Sequence, residues 1–139
     1  MPGPFPYRST ATVASSQVQI DFGSPAPACE ITVLSRGNFE ILPALFDSGA
    51  SRTAIPHRVA VTLNLRMIRD DVMVGGAVGS PEARPLFIAD LIFAELNFTN
   101  HPVLSIIREA DRDYVLIGRD ILNRYKTTLD GPQRQFSLE

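Results

Sequence analysis

The chain has 139 residues, 45% of them hydrophobic and 20% charged, which suits one globular domain with a buried core. A net charge of −2, with no block of Lys or Arg, excludes the basic footprint of a nucleic-acid binder. A single cysteine, Cys29, excludes an intramolecular disulfide and a cysteine-rich metal site, and two distant histidines, His57 and His101, argue against a histidine metal centre. No metal and no cofactor are expected.

The N-terminus has neither a basic n-region nor an apolar h-region, so no signal peptide is expected. No apolar run approaches the ~18 residues of a membrane span. The expectation is a soluble, cytoplasmic protein without a membrane partner.

In chain order, Met1–Ser16 is rich in Pro, Ser, Thr and Ala and reads as a flexible tail, leaving 17–139 as the folded domain. Gln17–Phe22 alternates polar and apolar at period 2, the pattern of a half-buried strand, and Gly23–Pro27 should break it. Cys29–Leu34 and Phe39–Phe46 read as strands around an Arg36-Gly37-Asn38 turn, with a notch at Pro43. Pro56 suits the first turn of a short helix over His57–Leu65, with Val59, Ala60 and Leu63 on one face. Met67–Val74 and Pro85–Phe93 are strands on either side of a glycine-rich stretch, Gly75–Gly79. Asn97–Ile107 is another strand, Arg108–Asp113 a charged loop, Tyr114–Ile117 a compact strand, and Ile121–Tyr125 a turn or two of helix. Lys126–Asp130 and Gln133–Leu138 form a last hairpin. Strands dominate and helices are short, so the fold class is all-β.

The stretch that could carry chemistry is Ala44–Pro56. An apolar run delivers Asp47 into a Ser48-Gly49-Ala50 turn, and a β-prone run, Thr53–Ile55, leaves it. This places one carboxylate at the tip of a tight loop between strands. Taken alone, Asp-Ser-Gly is good turn chemistry.

Three features in order change that reading. The loop around Asp47-Ser48-Gly49-Ala50, the glycine-rich hairpin, and the later segment Leu116-Ile117-Gly118-Arg119-Asp120 together resemble retropepsin-like aspartic peptidases over about Cys29–Leu138. The resemblance implies a closed or nearly closed β-barrel with one or two short helices. It implies an aspartic endopeptidase in which Asp47 is catalytic and Ser48, Gly49 and Ala50 support the active-site loop. Val74, Gly75, Gly76, Ala77, Val78 and Gly79 would form a flap over a peptide or protein substrate, and Ile117, Gly118 and Arg119 would brace the site from behind. Peptide hydrolysis by carboxylates needs two of them sharing a proton, and this chain offers one such loop. A homodimer would supply the second Asp47 across a two-fold axis.

Retroviral relatives often carry an acid at the position of Ser51 that pairs with the arginine matching Arg119, and the flap candidate here lacks an aromatic residue. The alternative is therefore a catalytically weak or inactive retropepsin-like module for peptide binding or dimerisation. A serine hydrolase using Ser48 or Ser51 is a weaker reading. Asp70-Asp71 and Asp111-Arg112-Asp113 read as solvated loop acids, His57 and His101 as structural or surface residues, and Cys29 as a small apolar group in a strand.

Overall fold

The computed structural model describes residues 3–75, 80–106 and 113–139. In chain order the elements are β1 (Phe5–Pro6), β2 (Arg8–Val13), β3 (Val18–Ala26), β4 (Ala28–Ser35), β5 (Asn38–Phe46), β6 (Ala54–Pro56), α1 (His57–Thr62), β7 (Arg66–Val74), β8 (Glu82–Phe93), β9 (Leu96–Ile106), β10 (Val115–Ile117), α2 (Arg119–Leu122), β11 (Thr127–Asp130) and β12 (Gln135–Leu138).

The main sheet runs β4-β5-β10-β6-β9-β8-β7, and an extra pairing of β4 with β8 closes six of these strands into a barrel. The all-β expectation and the closed barrel hold. Strand β8 makes closure possible because it is long. Its first half pairs with β7 from Glu82 to Ile88, and Asp90–Ile92 then pairs with β4. The change of neighbour coincides with a bulge between Ala89 and Leu91, which bends the strand round the barrel.

The apolar positions alternate as the sequence implies. Ile31 and Val33 of β4, Leu42, Ala44 and Phe46 of β5, and Val115 and Ile117 of β10 all point into one core. The Pro43 notch is tolerated for a local reason. Phe46 donates its N–H toward the β4 side, to Pro27, so by alternation the nitrogen of Pro43 faces the β10 side. The β10 ladder begins only at Ala44, so no ladder bond is lost at Pro43.

Helix α1 buries Val59 and Ala60, with Leu63 beneath its C-terminus. It ends as expected for a residue that accepts the left-handed region: Asn64 has φ 49°, and the Leu65 N–H reaches back to Ala60. Each large apolar side chain removed from water contributes about 1.5–3 kcal/mol to holding this face down.

The flexible-tail expectation for Met1–Ser16 is corrected at Phe5–Pro6 and Arg8–Val13, which are strands. β2 pairs with β3 in a hairpin that buries Val13 and Ile20, and β1 adds to the β12 edge at Phe5↔Phe136. Composition hid this because the segment holds few large apolar residues. Those it has are well placed: the Phe5 and Tyr7 rings lie 5.4 and 6.4 Å from the ring of Phe136. The expected break at Gly23–Pro27 is a bulge inside β3, where Gly23 takes φ 83° and donates to the Asp21 carboxylate.

The charged loop needs a second correction. Residues 107–112 lie outside the described residues, but Asp113 is buried and paired with Arg58 of α1, which also binds Glu40 of β5. Burial disfavours the Arg58 charge, yet its bonds to Asp113 and Glu40 outweigh this and raise its pKa. Asp70 and Asp71 are exposed, and Asp71 pairs with Arg69.

Candidate active site

Asp47 sits where β5 ends. The loop from Asp47 to Thr53 joins β5 to β6, but these strands are not neighbours, because β10 runs between them. Leu116 of β10 pairs with Leu45 on one side and with Ala54 on the other. The loop therefore crosses over the C-terminal end of β10, which lies directly behind it. Ile117, Gly118 and Arg119 thus lie against the back of this loop.

Position and orientation of Asp47 are set from both sides. Phe46 is almost fully buried in an aromatic row, 4.7 Å from Phe136 and 5.9 Å from Phe93 between ring centres. The Asp47 N–H donates to the carbonyl of Ile117 at 2.9 Å, and Ala50 donates back to the Asp47 carbonyl at 3.2 Å. The Gly49 N–H donates to Asp47 Oδ1 at 2.9 Å, so the carboxylate is aimed by its own loop. A Cβ on Gly49 would sit 3.1 Å from that oxygen, which is why a glycine fits there. Ser48 is exposed beside the half-buried Asp47.

The segment behind the loop acts as a splint. The Arg119 N–H donates to the Ala50 carbonyl at 2.9 Å, and its guanidinium donates to the Ser48 carbonyl at 2.8 Å. Gly118 lies so close that a Cβ would meet the Arg52 carbonyl carbon and oxygen at 2.6 Å. The partner of the Arg119 side chain is thus a main-chain carbonyl, where retroviral relatives often offer an acid at the position of Ser51.

Three further residues meet behind the loop: Thr53, read only as part of a β-prone run, Asp120, read only as part of the Gly-Arg-Asp segment, and His101, read as a structural or surface residue. Thr53 is fully buried where the loop enters β6. Its N–H and hydroxyl donate to Asp120 Oδ1 at 3.0 and 2.9 Å, and its Oγ1 accepts the Gly118 N–H at 3.2 Å. His101 Nε2, from β9, lies 2.8 Å from Asp120 Oδ2. Burial alone would raise the Asp120 pKa, but the bond from His101 and then those from Thr53 outweigh it and hold the carboxyl below the usual range. Asp120 stood inside the Gly-Arg-Asp segment, so its signal was visible. Nothing in the sequence pointed to His101 as its partner.

Between the loop and β7 lies a cavity of about 250 Å³ that places Gly49, Ala50 and Arg52 opposite Val74 and Gly75. Its floor is apolar, formed by Ala54, Leu104, Ile106 and Leu116. The Asp47 loop, Leu116 of the segment behind it, and Val74 and Gly75, the described part of the flap candidate, thus line one cavity. Gly76, Ala77, Val78 and Gly79 lie outside the described residues.

The remaining candidates are structural. His57 Nδ1 is 2.6 Å from the buried Ser105 hydroxyl. Burial pushes the Cys29 thiol up to about 12, as suits a small apolar group packed against the core. Among the described residues, no three His, Cys, Asp or Glu side chains converge as a metal site.

Residues 35–124 match the family model described as "gag-polyprotein putative aspartyl protease". Among solved structures, the fold is similar to that of EIAV protease complexed with the inhibitor HBY-793, at 20% identity and a TM-score of 0.56, over 74% of this chain and 90% of that one. It is also similar to the retroviral protease-like domain of Ddi1 from Leishmania major, at 17% identity and a TM-score of 0.50, over 82% of this chain and 90% of that one. No curated protein sequence gives a significant match.

Proposed function

Because this chain belongs to the gag-polyprotein aspartyl protease family, a retropepsin-like aspartic peptidase family, we propose that it is an endopeptidase whose active site is completed by a second copy of itself. The single observation that carries this reading is the Asp47 carboxylate, held at the tip of its loop by the Gly49 N–H and braced from behind by Ile117–Asp120.

In the proposed mechanism two Asp47 carboxyls meet across a two-fold axis and share one proton, since like charges at contact cannot both ionise easily. The ionised member accepts a proton from water as the water oxygen attacks the scissile carbonyl carbon. The protonated member donates to the carbonyl oxygen. Collapse of the resulting gem-diol breaks the C–N bond and returns a proton to the leaving nitrogen. No cofactor enters. Ser48, exposed beside Asp47, would brace the two loops against each other, and the β7–β8 hairpins would close over an extended peptide and exclude water. The apolar cavity beside the loop would take an aliphatic side chain of the substrate.

Two features support a symmetric partner. A second hollow, about 310 Å³, opens on the Ser48 and Arg119 side of the loop, between Leu122, Tyr125 and Leu129. Leu129 is 48% exposed on β11, which is an edge strand of the β1-β12-β11 sheet. Both would be covered by a second copy docking next to Asp47.

The deciding experiment is Asp47→Asn. An asparagine keeps an oxygen for the Gly49 N–H, so the variant should stay folded and dimeric while peptide cleavage falls ~1,000-fold or more. Unchanged cleavage would overturn the assignment. A wild-type dimer that binds peptide without cleaving it would favour the inactive-module reading.

A further inference from the structure

We propose that His101 is a positioning residue for the Asp47 loop, acting through the Asp120 carboxylate on Thr53. The inference rests on the peptidase reading for its kinetic consequence, but its structural consequence can be measured without any activity.

Asp120 Oδ1 is saturated, accepting the Thr53 N–H at 3.0 Å, the Thr53 hydroxyl at 2.9 Å and the Ile121 N–H at 3.0 Å. Its other oxygen faces His101 Nε2 at 2.8 Å. A carboxylate turns easily about its terminal sp³–sp² torsion, so three donors on one oxygen do not by themselves lock its plane. A donor on the second oxygen does. His101 is suited to that work because it cannot move: it is 4% exposed on β9, edge-on to Phe98 with ring centres 5.9 Å apart. Among the described residues, charged groups near this stack include Arg124, whose guanidinium lies 5.6 Å from the centre of the Phe98 ring, and Asp90, whose carboxylate accepts the Asn100 N–H.

The imidazole nitrogen facing Asp120 must carry a proton, because the carboxylate offers only lone pairs. The positioning therefore works with neutral or charged imidazole. Its effect reaches the acid through the loop exit. Thr53 is tied to Asp120, to Gly118 and, through its carbonyl, to the Leu104 N–H at 2.9 Å. Of the ties between the loop and the 117–120 segment, the Thr53–Asp120 pair is the one made to an ionised side chain away from full solvent, so it is the strongest of the set. A loose Asp120 would free the end of the loop opposite Asp47, and catalytic geometry is sensitive to shifts of about 1 Å.

The test compares His101→Phe, which keeps the ring packing but not the donor, with His101→Gln, which restores a donor. In His101→Phe, kcat for peptide cleavage should fall roughly 10–100-fold with KM within about threefold of wild type. Amide exchange at Thr53 should accelerate about tenfold, while Ile20 in the β2–β3 hairpin stays unchanged. His101→Gln should recover most of both. Wild-type kcat together with wild-type Thr53 exchange in His101→Phe overturns the proposal, as does a His101→Gln variant no better than His101→Phe. Should neither variant fold, the nitrogen-15 spectrum of the wild-type imidazole decides: a protonated Nε2 supports the proposal and a bare Nε2 overturns it. If the wild type cleaves no peptide while His101→Phe still accelerates Thr53 exchange, the peptidase reading is defeated and the positioning role stands.

Discussion

The guanidinium of Arg119 donates to the backbone carbonyl of Ser48 at 2.8 Å, so the Asp47 loop's own main chain takes the place of the acid that Ser51 does not provide. A carbonyl cannot be lost by mutation, but it binds less strongly than a carboxylate. Both Arg119 and Ser48 are exposed, which keeps the net value of the bond modest. Arg119→Leu should therefore cost about 1 kcal/mol of stability, read from the urea midpoint, and lower kcat/KM by about tenfold. An unchanged midpoint would show that the bond contributes nothing.

Gly118 should be intolerant of even one added methyl group. Its backbone, φ −95° and ψ −175°, is open to any residue, so conformation is not the reason. The reason is space: the added Cβ would sit 2.6 Å from main-chain atoms of Arg52 and 3.0 Å from the Ala50 carbonyl, none of which can rotate away. Gly118→Ala should push α2 off the loop, destabilise the fold by about 2–3 kcal/mol and abolish most cleavage. A thermal midpoint equal to wild type would argue that α2 and the loop are not in this contact.

Acid should loosen the site through Asp120. Its folded pKa is depressed, since the His101 and Thr53 bonds outweigh burial, whereas an unfolded aspartate titrates near ~3.9. The sign follows: its stabilising contribution is fully present above the unfolded value and is lost as pH falls through the lower, folded one. The brace thus stays intact at the mildly acidic pH where a carboxyl dyad would hold one proton. Urea midpoints of the wild type should fall below pH ~4 more steeply than those of Asp120→Asn, which has no charge to lose there. Parallel pH profiles would remove Asp120 from the acid response.

Much of the site was legible in sequence because its parts are local. An apolar run into Asp47-Ser48-Gly49 and a strand running into Gly118 are written in consecutive residues, and the structure has a strand ending at Phe46 before Asp47 and one ending at Ile117 before Gly118. The strands of the barrel were legible for the same reason, since period-2 alternation is a property of neighbours along the chain. The first strands were not. Phe5 and Tyr7 matter only because Phe136, at the other end of the chain, meets them. Asp113 looked like a solvated loop acid because Arg58, which pairs with it and also with Glu40, lies on another element.

The sequence by itself determined an all-β chain that holds one acid in a tight turn, because backbone geometry and burial period are set by residues a few positions apart. Only the tertiary structure decided what holds that acid still. Strand β10 lies between two strands that the loop connects, so Ile117, Arg119 and Asp120 reach the loop from behind, and β9 carries His101 to the same point. Those contacts come from the neighbour order β5-β10-β6-β9, which pairs residues some fifty to seventy positions apart in sequence that no local pattern encodes.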